Sequence, residues 1–156
     1  MKVKVDKMKS IVIKRYPAIV VALSITFGVY ALYRNPSSIS SHQHFETMSH
    51  DMDEIIAIGG TVAYTYKSDK YGGSSLLHGV IAGSLPQSVR DRQRQVLAQL
   101  GWRPVADQRY CKEEILYYSK LAEEKYEYKP MVIMAMNYDP GTIDECKTAD
   151  AGKPSR

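Results

Sequence analysis

Cysteine is nearly absent from this chain. Cys111 and Cys146 are its only two in 156 residues. Neither belongs to a Cys-x-x-Cys pair, so a close-spaced redox motif is excluded. No cysteine follows the apolar run near the N-terminus, which excludes a lipoprotein. Catalytic signatures are missing as well. Gly72-Gly73-Ser74-Ser75 is glycine-rich, but it has neither the Gly-x-Ser-x-Gly of a nucleophile elbow nor the Gly-Lys pair of a P-loop. His78 stands in an apolar stretch without an adjacent nucleophile and orienting group. There are no internal repeats. These absences argue against an enzyme and call for no cofactor.

A basic excess is also missing where a nucleic-acid binder would need it. The net charge is +4. Residues 1–15 hold six basic side chains against Asp6 alone, and the rest of the chain has fifteen basic and sixteen acidic. Beyond the N-terminus the protein is therefore near neutral, with no general attraction for phosphate backbones.

Residues 16–33 contain no charge. As a helix they would span about 27 Å, close to the hydrocarbon thickness of a bilayer. Tyr16, Tyr30 and Tyr33 lie at the ends, where aromatic rings favour the interface. The basic cluster precedes the run and only Arg34 follows it. The positive-inside rule then keeps the N-terminus in the cytoplasm and exports the C-terminal part. The expectation is a single-pass protein of the inner (cytoplasmic) membrane in a bacterial-type envelope. A cleaved signal peptide is the competitor, with Val29-Tyr30-Ala31 as the cleavage site. The length of the run and its bulky tyrosines favour an anchor.

The expected organisation is a basic cytoplasmic segment over 1–15, a transmembrane helix over 16–34, a linker over 35–42, an exported α+β domain over 43–146 and a disordered tail over 147–156. Residues 43–58 carry Phe45, Met48, Met52, Ile55 and Ile56 at helical spacing, ended by Gly59-Gly60. Residues 61–67 alternate, with Val62, Tyr64 and Tyr66 on one face. A second short strand is expected over 76–82. Ser84 to Gln87 fits a capping box ahead of a helix with a Val89, Val96, Leu97 and Leu100 stripe, followed by a core Trp102. A strand over 115–118, a turn over 121–124 and a returning strand over 126–138 complete the pattern. Met131 to Met136 is apolar on both faces, as in a doubly covered strand. The fold class is α+β: a transmembrane helix plus a small antiparallel sheet packed with one main helix, β-α-β-β-like.

Three sets of residues carry the candidate sites. Cys111 and Cys146 are expected to form a structural disulfide, since an exported domain meets oxidising conditions. The stretch 41–54 holds His42, His44 and His50 with Met48, Met52 and four carboxylates. Imidazole and thioether ligands suit copper, and imidazole with carboxylate suits zinc. A metal-binding envelope protein is thus one reading; the plainer one is a solvated helix face with core methionines. The third set comes from the tyrosines, which offer rigid area with a polar tip. Tyr64, Tyr66 and Tyr117, rimmed by Arg90 and Arg94, are the candidate contact residues for a protein partner or for self-association. The leading expectation is a membrane-anchored protein-interaction or assembly module. A reporter enzyme that works only outside the cytoplasm should be active when fused after Arg156 and silent when fused ahead of residue 16. Activity of the N-terminal fusion would reverse the assigned orientation.

Overall fold

A computed structural model describes residues 17, 19–30, 35–70, 72–127 and 129–151, with the side chains of 123–125 outside the description. The chain divides into two compact units, Met1–Arg34 and Asn35–Arg156. Residues 1–15 and 152–156 lie outside the described residues, as do residues 16, 18 and 31–34 of the expected membrane span.

In the first unit, residues 19–30 are helical. Twelve helical residues reach about 18 Å. Among the described residues no helix is long and apolar enough to cross a membrane. The apolar side chains from Ile19 to Leu23, Ile25, Phe27, Val29 and Tyr30 are exposed. The two aliphatic hydroxyls in this stretch bond back to their own helix: Ser24 donates to the Val20 carbonyl at 2.9 Å and Thr26 to that of Ala22 at 2.8 Å.

The second unit begins with helix α1, Ser38–Ala57. It starts five residues earlier than the hydrophobic spacing predicts. Ser37 is in extended backbone and its hydroxyl accepts from the Ser40 amide at 3.1 Å, which caps the first turn. Met48, Met52 and Ile55 recur at helical spacing and are fully buried. Each contributes about 1.5–3 kcal/mol of burial. The helix stops at Gly59-Gly60, whose φ values of 144° and 121° suit glycine alone. Gln93 then reaches across from a later helix. Its amide donates to the carbonyls of Ile55 at 3.2 Å and Gly59 at 3.0 Å. Those are helix-end acceptors that would otherwise lack a donor.

Six strands follow: β1 (Val62–Lys70), β2 (Gly73–Ile81), β3 (Arg103–Ala106), β4 (Arg109–Lys112), β5 (Ile115–Tyr126) and β6 (Lys129–Tyr138). They form one antiparallel sheet in the order β1-β2-β6-β5-β4-β3. Helix α2, Gln87–Gln99, carries the chain from β2 to the far edge at β3. A four-stranded meander then returns β6 to pair with β2. Helix α3, Pro140–Ala151, closes the unit. The α+β class and antiparallel sheet agree with the sequence expectation, but the sheet has six strands rather than three or four. The β3–β4 hairpin turns at Asp107-Gln108, where Gln108 has φ 53°. It gave no sequence signal because each strand has only four residues, too few to show alternation.

One sheet face carries α1 and α2. Leu76, Val80, Ile115, Tyr117, Met134, Met136 and Tyr138 point into this core with Met48, Met52, Ile55, Leu97 and Trp102. Strand β6 is buried on both faces near its middle, since Met131, Ile133 and Ala135 on the opposite side are also covered. On that opposite face Leu116 packs against Cys111 and Cys146. The two cysteines are bonded, with Cα atoms 5.7 Å apart and a sequence separation of 35. The bond fastens α3 to the sheet.

Several expectations are corrected by tertiary contacts. Val62 does not share a face with Tyr64 and Tyr66. A bulge between Val62 and Tyr64 puts Val62 opposite Val80 and against the core, and sends the tyrosines the other way. Ser84 does not cap α2. Its hydroxyl accepts from the Thr61 amide at 2.7 Å and donates to the Ile81 carbonyl at 2.6 Å, while Pro86 takes the N-cap without a side-chain bond. The turn expected over 121–124 is a register irregularity within β5; the chain reverses after Tyr126, where Glu127 has φ 47°. Residues 147–151, expected in the tail, belong to α3.

Three ion pairs assist the disulfide in holding α3: Arg109–Glu145 at 2.6 Å, Lys147–Glu114 at 2.8 Å and Arg103–Asp150. Such surface pairs contribute little, and Thr142 and Cys146 are the buried residues of the helix. Replacing Cys111 and Cys146 together with serine should therefore lower unfolding stability by about 2–4 kcal/mol. Loss of amide-exchange protection should begin in α3. Urea titration and hydrogen exchange measure this, and an unchanged midpoint would show that the clasp is dispensable.

Candidate interaction surfaces

The sheet turns two unlike faces outward. The helix side is closed by α1 and α2. The other side is covered by α3 near Leu116, and within Asn35–Arg156 no other described helix packs on it. Strand alternation places Tyr64 and Tyr66 of β1, Leu77 of β2, Ile133 of β6 and Tyr118 of β5 on this outer face. Tyr64 is 39% exposed and Tyr66 53%. The Tyr64 ring lies flat over Gly79, and a Cβ at that position would collide with it. Glycine is thus what lets the ring settle on the sheet. Tyr126 brings its own ring to 6.5 Å from that of Tyr64. Lys120, opposite Ile133, adds a cation to the face.

The five residues expected to form one contact surface divide between the two sides. Tyr64 and Tyr66 lie on the open face. Tyr117 does not. It is 3% exposed on the helix side, edge-on to Trp102 at 6.1 Å and beside Tyr110 at 5.8 Å. Burial pushes its hydroxyl well above the usual tyrosine value. It is a core residue, because β5 turns its odd-numbered side chains toward α2. Arg90 and Arg94 stand on α2 at the mouth of a cavity that Tyr117 also lines, with Leu85, Leu97 and Val132. Its free volume of about 30 Å³ admits about one water molecule. Ligand pockets need about 300 Å³ or more, so this cavity is a packing gap. Arg94 pairs with Asp91 at 3.1 Å and Arg90 donates to Gln87 at 3.0 Å. Both are satisfied within their own helix.

The three histidines of α1 have separate partners. His42 Nδ1 meets Asp69 at 2.7 Å, at the far end of β1. His44 stacks on Tyr138 with ring centroids 3.9 Å apart, and its Nδ1 meets the Ser40 carbonyl at 2.8 Å. His50 is exposed and touches Asp51 at 3.3 Å. Met48 and Met52 are core residues. Among the described residues no three His, Cys, Asp or Glu side chains come together as metal ligands. His78, outside this stretch, meets the Thr65 hydroxyl at 2.9 Å across the β1–β2 pair. Its pKa is lowered, first by burial, with nearby Lys67 adding to the shift and Asp53 opposing it.

Asp69 had no sequence signal, and Ser74 stood out only as part of the glycine-rich Gly72-Gly73-Ser74-Ser75, because both matter through what meets them. Ser74 is buried and donates to the Ser41 carbonyl at 2.8 Å and to Asp69 at 3.0 Å. With His42 they moor the first turns of α1 to the β1–β2 hairpin. The serine bonds to the carboxylate and not to the imidazole, so the group lacks the nucleophile–base contact of a hydrolase triad.

The His42–Asp69 hydrogen bond, aided by charge attraction, raises the His42 pKa, and the same bond lowers that of Asp69. The contribution from His42 is complete below its ordinary value of 6.5 and is lost as pH rises through the raised folded value. That from Asp69 is present above its ordinary value of 3.8 and is lost as pH falls through the lowered folded value. The mooring is therefore strongest between those limits. In the Asp69→Asn variant His42 should titrate back near its unperturbed pKa of about 6.5 in an NMR titration of its ring protons. A His42 titration identical to that of the parent would refute the link. No family model, curated protein or solved structure matches this chain.

Proposed function

We propose that this protein is a single-pass membrane protein whose exported domain binds another protein through the outer face of its sheet. The observation that carries the reading is the exposure of Tyr64 and Tyr66 on a sheet face that no described helix of Asn35–Arg156 covers at that point. Tyrosine is a favoured contact residue because it buries a large rigid ring at low entropic cost. Half-buried Leu77 lies beside Tyr66 on the same face and adds apolar surface to it. The near-neutral charge beyond residue 15 fits a protein ligand better than a nucleic acid.

The anchor is supported by the uncharged run 16–33 and by the exposed apolar side chains of its described part. Ser24 and Thr26 spend their hydroxyls on backbone carbonyls of their own helix, as lipid-facing hydroxyls do. The basic cluster at residues 2–15 supports a cytoplasmic N-terminus and an exported domain in the inner membrane. A Cys111–Cys146 bond fits the oxidising side.

Tyr64→Ala with Tyr66→Ala removes two rings that contribute nothing to the helix-side core. The full-length variant should fold normally, with unchanged Trp102 fluorescence. It should retain its partner at least tenfold more weakly on purification from membranes, a loss of about 1.4 kcal/mol or more. A parent protein that recovers neither a stoichiometric partner nor a second copy would sink the reading, as would a double variant that binds like the parent.

A further inference from the structure

We propose that the partner contributes an extended acidic segment that adds as a seventh strand along the outer edge of β1. This rests on the protein-binding role above and specifies the chemistry of the partner. The two edges of the sheet are built differently. The β3 edge has four residues, contains Pro104 and shifts register between Pro104 and Ala106. Its Arg103 is tied to Asp150 of α3. Short length, proline and a bulge are the ordinary means by which an edge is closed to further pairing.

The β1 edge is neither short nor interrupted by proline, and its bulge is confined to one end. It runs for nine residues, with that one irregularity at the Val62 end. From Tyr64 to Lys70 the register with β2 is unbroken. Tyr64, Thr65, Tyr66 and Lys67 are exposed in succession, so both faces of the strand are open along the middle of the edge. Such an edge presents a row of unpaired backbone N–H and C=O groups to an incoming strand. Alternate side chains of the added strand would fall beside Tyr64 and Tyr66 on the outer face, where an apolar residue fits. The residues between them would fall beside Thr65 and Lys67.

The charge of the edge selects the occupant. Lys67 and Lys70 are exposed and form no ion pair among the described residues. Asp69, the acid between them, is occupied by His42 and Ser74. The edge is thus positive toward an incoming strand, and carboxylates on that strand would complement it. The same two lysines oppose pairing with a second copy of β1.

The test uses the full chain in its membrane, with the photo-cross-linking residue p-benzoylphenylalanine placed in turn at Thr65, at Tyr66 and at Ala106 of the β3 edge. Light should join Thr65 to one acidic, extended segment of a partner, identified by peptide mass spectrometry, and Ala106 to none. Lys67→Glu with Lys70→Glu should cut the Thr65 product at least fivefold while Trp102 fluorescence stays unchanged. A Thr65 product containing residues 62–70 of a second copy would overturn the proposal, as would a yield indifferent to charge reversal. Silence at Thr65 with a product at Tyr66 would remove strand addition and leave face binding standing. Silence at both positions would remove both.

Discussion

The Asp51 carboxylate is the point at which the folded unit is tied together. It sits on the buried side of α1, 2% exposed. Its Oδ2 accepts from the Trp102 indole at 2.9 Å and from the Lys112 ammonium at 2.7 Å. A buried carboxylate costs several kcal/mol in lost hydration, and only a counter-charge with well-placed donors offsets that. Here the donors come from two remote places, the start of β3 and the end of β4. One group of α1 therefore fixes the helix against β3 and β4, at the edge of the sheet opposite β1. Trp102, held by this bond, closes edge-on against Tyr117. The rest of the helix-side core fills in around that contact.

The two faces of the sheet then follow different rules. The helix side is closely packed: Gln93 supplies donors to the end of α1, Trp102 is matched by Asp51, and the cavity under α2 admits about one water. On the outer side, α3 has little apolar surface of its own and is held by a covalent bond and surface ion pairs. It therefore covers the sheet near Leu116 and leaves the β1 end bare. Gly79 allows Tyr64 to lie down on the sheet, which shields β2 and β6 backbone without a helix. An unequal division of this kind concentrates accessible apolar surface at one end of one face.

His42, Asp69 and Ser74 add a second tie, smaller and exposed, between the start of α1 and the tip of the β1–β2 hairpin. Because α1 follows the uncharged run so closely in sequence, this mooring lies near the entry to the domain. It uses the single acid of β1, Asp69, and so leaves the edge more positive than its composition suggests.

Much of this was determined by the sequence alone, wherever a property depends on neighbours along the chain. The Met48, Met52 and Ile55 stripe, the Gly59-Gly60 stop and the two-sided apolar run of β6 are periodic or local signals, and period survives without knowledge of the partner surface. The cysteine pairing was legible because only two cysteines exist. What only the tertiary structure decided depends on groups that meet from far apart. Ser84 has a capping-box sequence, yet Thr61 and Ile81 compete for its hydroxyl and win. Tyr64 and Tyr117 look alike in sequence, but the bulge at the start of β1 and the register of β5 send one to the open face and the other to the core. A one-residue change of register exchanges the faces of every following side chain. Which tyrosines are exposed was therefore set by strand pairing, and pairing is a property of the assembled sheet.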